Sequence, residues 1–431
     1  MVISAEPDAS QPEGSNPEAG DAAVEIDEAA AVEIDTDAVD TDAVDTDAVE
    51  TDDRQHWWRW RRRRRHAKKR SRKRRWLKIV AIVTVVLTVL AGAAVGAAYA
   101  YSRHLYNRIH KIALPPNLTR HRAIPLAGGT VPGGGPEPPV NILVVGSDSR
   151  SGLSKTDTSH YGNAADVAGQ RSDTIMIMRI EATGAIQALS IPRDLFVKIP
   201  GTNTHDRINT AFNTGPALLI QTIETDLAIP IDYYAEVDFS GFRAIVYALG
   251  GVQICFPGPE RDAYSGLNIT QAGCQTLDPN TALAFVRARH LEIKQNGVWI
   301  YDPTSDFGRM SRQQEFIKQV AKRAQDQGLG NPLRLPSILR AIPNAVAIDS
   351  RLSFNELTRL ARRFHQDSNL NINSVTLPTI DLHGIFSGGV EAALLQLQEP
   401  EAQTVLDVFR DTLDKLPPIP RSRLGHKAAG Y

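Results

Sequence analysis

Arginine and aspartate recur together at the mouths of apolar segments: Asp148 and Arg150 in NILVVGSDSR, Arg171 and Asp173 in RSDT, Arg193 and Asp194 in IPRD, and Asp306, Arg309 and Arg312 in DFGRMSRQQ. The guanidinium group is a planar, permanently charged, bidentate donor matched to phosphate oxygens, and carboxylates are what a hard divalent cation takes beside a phosphate. Together these residue types suit metal-assisted chemistry on a diphosphate. Asp148 and Asp173 are the candidate ligands of one Mg²⁺, with Mn²⁺ the alternative, although an Asp beside Gly146 and Ser147 also commonly caps a turn. Arg207 lies in HDRINTAF, Arg287 and Arg289 close ALAFVRARH, and Gln313 follows Arg312. Arg309, Arg312 and Gln313 stand at offsets of three and four, so a helix presents them on one face; Arg287 and Arg289, two apart, converge only in a frayed last turn. His290 is a conceivable base, but a lone histidine beside two arginines more often packs or caps a helix end, and it stays outside the catalytic set of Asp148, Asp173, Arg171 and Arg193.

Several elements must carry these residues. The run 141–145, apolar throughout and closed by Gly146, reads as a buried strand, and ligands in open α/β folds commonly sit where such a strand ends. Segments 173–180 and 185–191 read as a hairpin through the turn at 182–184, and 233–237, 252–256 and 374–377 as further strands. Helical spacing covers 210–227, 239–249, 311–325, 334–341, 353–364 and 400–416. Asp278 before Pro279 marks the cap and first turn of another helix, through Arg289. The expected fold class is α/β, a mixed central sheet with helices on both faces, preceded by one transmembrane helix.

Composition divides the chain further. Residues 1–53 hold about 18 Asp and Glu, no Lys or Arg, and a Thr-Asp-Ala-Val-Asp repeat, the make-up of an acidic, disordered cytoplasmic tail. Residues 54–78 reverse the sign with about 15 Lys and Arg, and 79–101 form an uncharged stretch long enough to cross a bilayer. Positive flanks stay cytoplasmic, so everything beyond the span is expected outside; the arginine run is then a topology signal touching membrane lipid, and nucleic acid is not an expected partner. Gly92 and Gly96 give a GxxxG spacing, the weak mark of a helix dimer. Segment 102–139, rich in Pro and Gly, reads as a stalk and linker, 140–417 as the catalytic domain, and 418–431 as a basic tail. The only cysteines, Cys255 and Cys274, read as a disulfide, the alternative being two buried thiols.

Taken in order, NILVVGSDSR, RSDTIMIMRI, ALSIPRDLFVKIPG, RINTAF, DYYAEVDFSGF with GGV, ALAFVRARH and DFGRMSRQQEF resemble the LytR-CpsA-Psr family of cell-wall glycopolymer ligases over about 140–417. The resemblance implies a Mg-dependent phosphotransferase. It would take a glycopolymer from a polyprenyl-pyrophosphate carrier and join it to peptidoglycan through a phosphodiester. It also implies that Asp148 and Asp173 hold Mg²⁺. By the same resemblance, Arg150, Arg171, Arg193, Arg207, Arg287, Arg289, Arg309, Arg312 and Gln313 surround the pyrophosphate beneath an apolar cavity for the lipid. One position departs: the family usually has Lys where Arg207 stands, which keeps the charge and changes its reach. Teichoic acid, arabinogalactan and capsule polymers share the same handle. A lipid-pyrophosphate hydrolase and a non-enzymatic scaffold for lipid-linked precursors are the competing readings.

Overall fold

A computed structural model describes residues 52–115, 118, 137–147, 172–327, 340, 346–366, 372–382 and 394–410. The acidic tail, most of the Pro/Gly linker, the helix expected at 334–341 and the basic C-terminal tail lie outside these residues, as do Asp148, Arg150 and Arg171. Helix α1 (Asp52–Tyr106) contains a candidate membrane span, Trp76–Tyr106, whose most apolar window has a mean hydropathy of 2.6. Its Val, Leu and Ile side chains from Ile79 to Leu90 are exposed, as lipid-facing side chains are.

The following strands are β1 (His110–Ile112), β2 (Val140–Ser147), β3 (Ser172–Ile180), β4 (Ile186–Ile191), β5 (Phe196–Lys198) and β6 (His205–Arg207). Helices α2 (Ile208–Thr214) and α3 (Pro216–Asp226) occupy the segment expected to be one helix. They separate because Gly215 adopts φ 133° and Pro216, which has no N–H to donate, begins the second. Next come β7 (Tyr233–Val237), α4 (Phe239–Ala248), β8 (Val252–Phe256), β9 (Glu260–Asp262), β10 (Leu267–Ile269) and β11 (Gly273–Leu277). After them lie α5 (Pro279–Arg287), β12 (Glu292–Gln295), β13 (Val298–Tyr301), α6 (Ser305–Asp326), β14 (Val346–Asp349) and α7 (Phe354–Gln366). The last elements are β15 (Ile372–Thr376), β16 (Thr379–Leu382), β17 (Leu394–Leu397) and α8 (Glu401–Phe409). Asp238 and Asp278 cap α4 and α5, their carboxylates accepting from the N–H groups of Gly241 at 2.7 Å and Asn280 at 2.9 Å.

Seven strands make the central sheet in the order β1-β14-β7-β2-β3-β4-β15, with antiparallel β2–β3–β4 at its middle and parallel pairs on either side. One face, through Leu143, Val145, Ile177 and Leu189, packs on α2, α3 and α8. The opposite face is covered in parts. Met178 and Ile186 meet α6 and α7, while α4, α5 and the rest of α6 form a separate apolar cluster with β8 and β10. A smaller sheet, β10-β9-β12-β13, lies beside that cluster, and Cys255 and Cys274 form the expected disulfide between β8 and its partner β11.

The stalk boundary differs from the sequence expectation. Leu105, Tyr106 and Ile109 are buried against Ile348, Leu352, Phe354 and Leu360, and β1 pairs with β14 as the edge strand of the main sheet. The Tyr106 hydroxyl donates to the Leu352 carbonyl, and the Tyr99 ring stands edge-on to Phe354 at 5.3 Å. The apolar residues at 105, 106 and 109 have a partner surface in α7 and the residues before it, and Ile112 packs on the main core, neither of which their own segment reveals; the Pro/Gly-rich linker is thus counted from after this edge strand.

Candidate active site

Strand β2 shows why a cavity forms. Its residues 143 and 145 are fully buried, while Val144 and Gly146 on the other face are only partly covered. Those two, with Thr174, floor a cavity of about 390 Å³ roofed by α4, α5 and α6. Its depth is apolar, lined by Phe242, Ile245, Val286, Phe316, Ile317 and Val320, with the Phe242 and Phe316 rings stacked at 4.8 Å. Its mouth is polar, with Asp173, Arg287, Arg289, Arg309 and Gln313 on its wall.

Each mouth residue has a local cause. Asp173 is the second residue of β3, where the strand emerges from the sheet. Arg193 sits in the turn made by Pro192 after β4; its carbonyl accepts from the N–H of Asn209 at 3.2 Å, which fixes the turn to α2. Helix α6 begins six residues earlier than its apolar spacing suggests, at Ser305, and so carries Asp306, Arg309, Arg312 and Gln313 together. Gln314 anchors α6 to the sheet by donating to Ser190 and Thr376, both at 2.9 Å.

The charged groups interlock. Arg193 donates to Asp173 at 2.6 Å, and lies 3.5 Å from Asp194 and 4.0 Å from Asp306. Asp306 also receives Arg309 at 2.9 Å and Arg289 at 3.0 Å. Arg309 lies 3.9 Å from Asp173, and Arg207 joins at the margin, 3.6 Å from Asp194. Burial works against the charge of Arg193, but Asp306, Asp194 and Asp173 outweigh it and hold its pKa above the usual arginine value. Arg309, 3 % exposed, goes the other way: burial first, then the neighbouring charges of Arg193 and Arg289, pull its pKa down despite Asp306 and Asp173. Several buried guanidinium nitrogens, Nε of Arg193, Arg289 and Arg309, have no hydrogen-bond partner among the described residues, although carboxylates lie within ion-pair range. Four arginines facing three carboxylates, with buried donors left over, are equipped for an additional anion rich in acceptor oxygens.

The two arginines at the end of α5 part company. The helix stops at Arg287, and Ala288 takes ψ 125°, so Arg289 leaves the helix and reaches Asp306 while Arg287 lies over the Phe239 ring at 4.6 Å. An early helix stop, rather than fraying, lets both approach the mouth. Arg312 and Gln313 hold this end in place. Gln313 donates to the Val286 carbonyl at 3.1 Å, and Arg312 donates to the Ala288 carbonyl and lies 3.6 Å from Asp302. They satisfy carbonyls that a helix C-terminus leaves unpaired. Arg312, 1 % exposed, does not line the cavity; it is brought behind the site rather than into it.

Asp306 is the hub of the cluster and stands outside the expected site set; its place three residues before Arg309 is the sequence signal for it. Asp262 gave none. Its buried carboxylate accepts from the N–H groups of Tyr264 at 2.8 Å, Ser265 at 3.1 Å, Arg289 at 2.7 Å and His290 at 2.8 Å, tying two loops of the cavity mouth together. Burial raises its pKa, but the four hydrogen bonds prevail and hold it below the usual carboxylate range. Its contribution to stability is therefore present above the unfolded value of about 4 and lost as pH falls through the lower folded one. Asp262→Asn should lower stability at neutral pH and flatten the acid limb of the urea midpoint plotted against pH.

Among the described residues no three Asp, Glu, His or Cys side chains gather in metal-binding geometry. Mg²⁺ needs only one or two carboxylates beside phosphate oxygens and water. Asp173, its side chain 37 % exposed and on the cavity wall, fits that requirement.

Comparison with known proteins gives relatives over the same part of the chain. The chain is 40% identical over 205 residues to "Probable cell wall biosynthesis protein LcpB" of Corynebacterium glutamicum, covering 47% of this chain and 46% of that protein. It is 32% identical over 216 residues to "Polyisoprenyl-teichoic acid--peptidoglycan teichoic acid transferase TagU" of Halalkalibacterium halodurans, covering 50% of this chain and 62% of that one. The matches thus span roughly half the length of the curated relatives. In fold it is similar to the "LytR-Csp2A-Psr enzyme from Actinomyces oris", with TM-score 0.52 and 24% identity, covering 70% of this chain and 96% of that one. The model of the LytR_cpsA_psr family matches residues 128–407, nearly all of the sheet, the cavity and its charged mouth, and the chain belongs to that family.

Proposed function

We propose that this protein transfers a glycopolymer from a polyprenyl-diphosphate carrier to peptidoglycan. The observation that carries the proposal is the joining of two features in one cavity. An apolar depth suited to a lipid tail opens at a mouth walled by Arg289 and Arg309, with Arg193 joined to the wall through its ion pair with Asp173, and each of the three keeps a buried Nε without a hydrogen-bond partner among the described residues. A nucleotide would not call for the apolar depth, and a lipid alone would not call for the arginines. The lipid lies along Phe242, Ile245 and Phe316, and its diphosphate at the arginines.

A peptidoglycan hydroxyl attacks the phosphorus that carries the glycan. A new P–O bond forms, the bridging P–O bond breaks, and polyprenyl phosphate leaves. Phosphoryl transfer of this kind needs in-line positioning and neutralisation of the equatorial oxygens more than covalent help from the protein. Arg193 and Arg309 supply charge at the diphosphate, Arg289 steadies its outer oxygens, and Arg207 guards the margin; Arg150 and Arg171, outside the described residues, are assigned to the same set by the family resemblance alone. The attacking hydroxyl gives its proton to a nearby carboxylate, of which Asp148, Asp173 and Asp194 are the candidates. Asp173 with Asp148 would hold Mg²⁺, which when bound neutralises phosphate charge. In this reading the basic juxtamembrane segment is cytoplasmic, the catalytic domain is exported, and the Gly92/Gly96 spacing offers a dimer contact within the membrane.

The test is full-length protein in detergent with a radiolabelled polyprenyl-diphosphate glycan and peptidoglycan, with and without Mg²⁺. Label appearing on peptidoglycan only when Mg²⁺ is present is the expected result. Release of free phosphorylated glycan would identify a hydrolase, and tight binding without turnover a scaffold.

A further inference from the structure

Tyr264 stands at the cavity mouth with 81 % of its surface exposed, yet it is not a loose side chain. Its ring packs on the imidazole of His290 at 4.4 Å between centroids, tilted by 39°. The backbone beneath both is fixed by one carboxylate: Asp262, 1 % exposed, accepts the N–H groups of Tyr264 and His290. Holding a large aromatic ring in water forgoes the burial that usually justifies one, and bracing it from beneath keeps its orientation. Chain position gives the place a meaning. His290 follows Arg289 directly, and Arg289 meets Asp306 in the charged cluster at 3.0 Å.

From this we infer that Tyr264 and His290 form a platform for a sugar ring, specifically the first ring esterified to the diphosphate. A pyranose presents C–H faces that stack on aromatic rings and hydroxyls that bond to polar edges. A ring joined to the diphosphate by one ester bond must lie next to the arginines, and Tyr264 lines the same cavity as Arg289, the backbones of both held by Asp262. An acceptor sugar has no such covalent tether. Tyr264, His290 and Asp262 thus select a glycosylated carrier over the bare lipid diphosphate, with Asp262 acting as a positioning residue through the two rings. This rests on the proposed function and adds to it the recognition of the sugar.

The experiment measures binding of two probes to full-length protein in detergent: a short polyprenyl diphosphate, and the same lipid carrying one N-acetylhexosamine. Wild type is expected to bind the glycosylated lipid more tightly. Tyr264→Ala should weaken that binding about five- to tenfold, the worth of one aromatic contact, and leave the bare lipid unchanged. Tyr264→Phe should restore most of it, and His290→Asn should fall between. Tyr301→Ala, removing another exposed aromatic outside the cavity wall, should change neither. Equal loss for both probes, unchanged binding in Tyr264→Ala, or wild-type protein that binds the two probes equally would overturn the inference while leaving the transferase reading intact. Wild-type protein that binds neither probe would overturn both.

Discussion

Arg193→Ala is expected to reduce transfer by about two to three orders of magnitude, the usual cost of removing one preorganised charge donor from a transition state. The loss has two physical sources. The variant forfeits a donor to the diphosphate, and it leaves Asp173, Asp194 and Asp306, which now share Arg193, as negative charge facing an anionic substrate. The fold should be affected little, because Arg193 makes its side-chain contacts within the cluster and not with the core. Arg193→Lys keeps the charge without the planar fork, and should recover only part of the rate. The checks are label transferred to peptidoglycan and the thermal midpoint measured on the same preparations; transfer above a third of wild type would remove Arg193 from the site.

Arg312→Ala should lose stability as well as transfer. Its guanidinium is buried between Asp302 and the Ala288 carbonyl, so its removal leaves a buried carboxylate and an unpaired carbonyl behind the cavity. Breaking a buried pair from one side costs about 3–5 kcal/mol. Urea unfolding should show that loss as a fall in midpoint, and transfer should fall because the end of α5, with Arg287 and Arg289, is no longer held. Adding Asp302→Asn should return part of the stability by removing the uncompensated charge. If the double variant is no more stable than Arg312→Ala alone, the Arg312–Asp302 pair is not what holds this end.

The contrast between Arg312 and its neighbour Arg309 measures how far the sequence could be read. Both stand in one motif, DFGRMSRQQ, at offsets that share a helix face with Gln313, and nothing in the spacing separates a ligand-facing group from a scaffold-facing one. The difference lies in what opposes the helix: cavity over Arg309, the end of α5 over Arg312. Local patterns did announce the strands that bear the site, since β2, β3 and β4 are apolar runs ending in turn residues. They did not announce that alternate residues of β2 look into a cavity, because a strand buried on both faces and one facing an apolar cavity have the same composition. Asp262 was illegible for a similar reason. A carboxylate between Arg261 and Ala263 resembles any surface aspartate until the fold brings loops about 27 residues apart onto it.

The packed exit of α1 has a further meaning for reach. One face of the last turns of that helix is buried against α7 and the residues before it, and only a few residues separate it from β1, an integral strand of the sheet. Under the proposed topology, this leaves no slack between anchor and domain. A domain of this length measures about 50 Å across, and its cavity can sample heights above the bilayer only within that dimension. The anchor thus behaves as a ruler rather than a tether. Under the proposed activity, the lipid-borne donor is always within range, whereas the wall strand must come down to the membrane surface. Newly laid polymer nearest the bilayer would be modified first, and older, outer layers would be beyond the enzyme's arm.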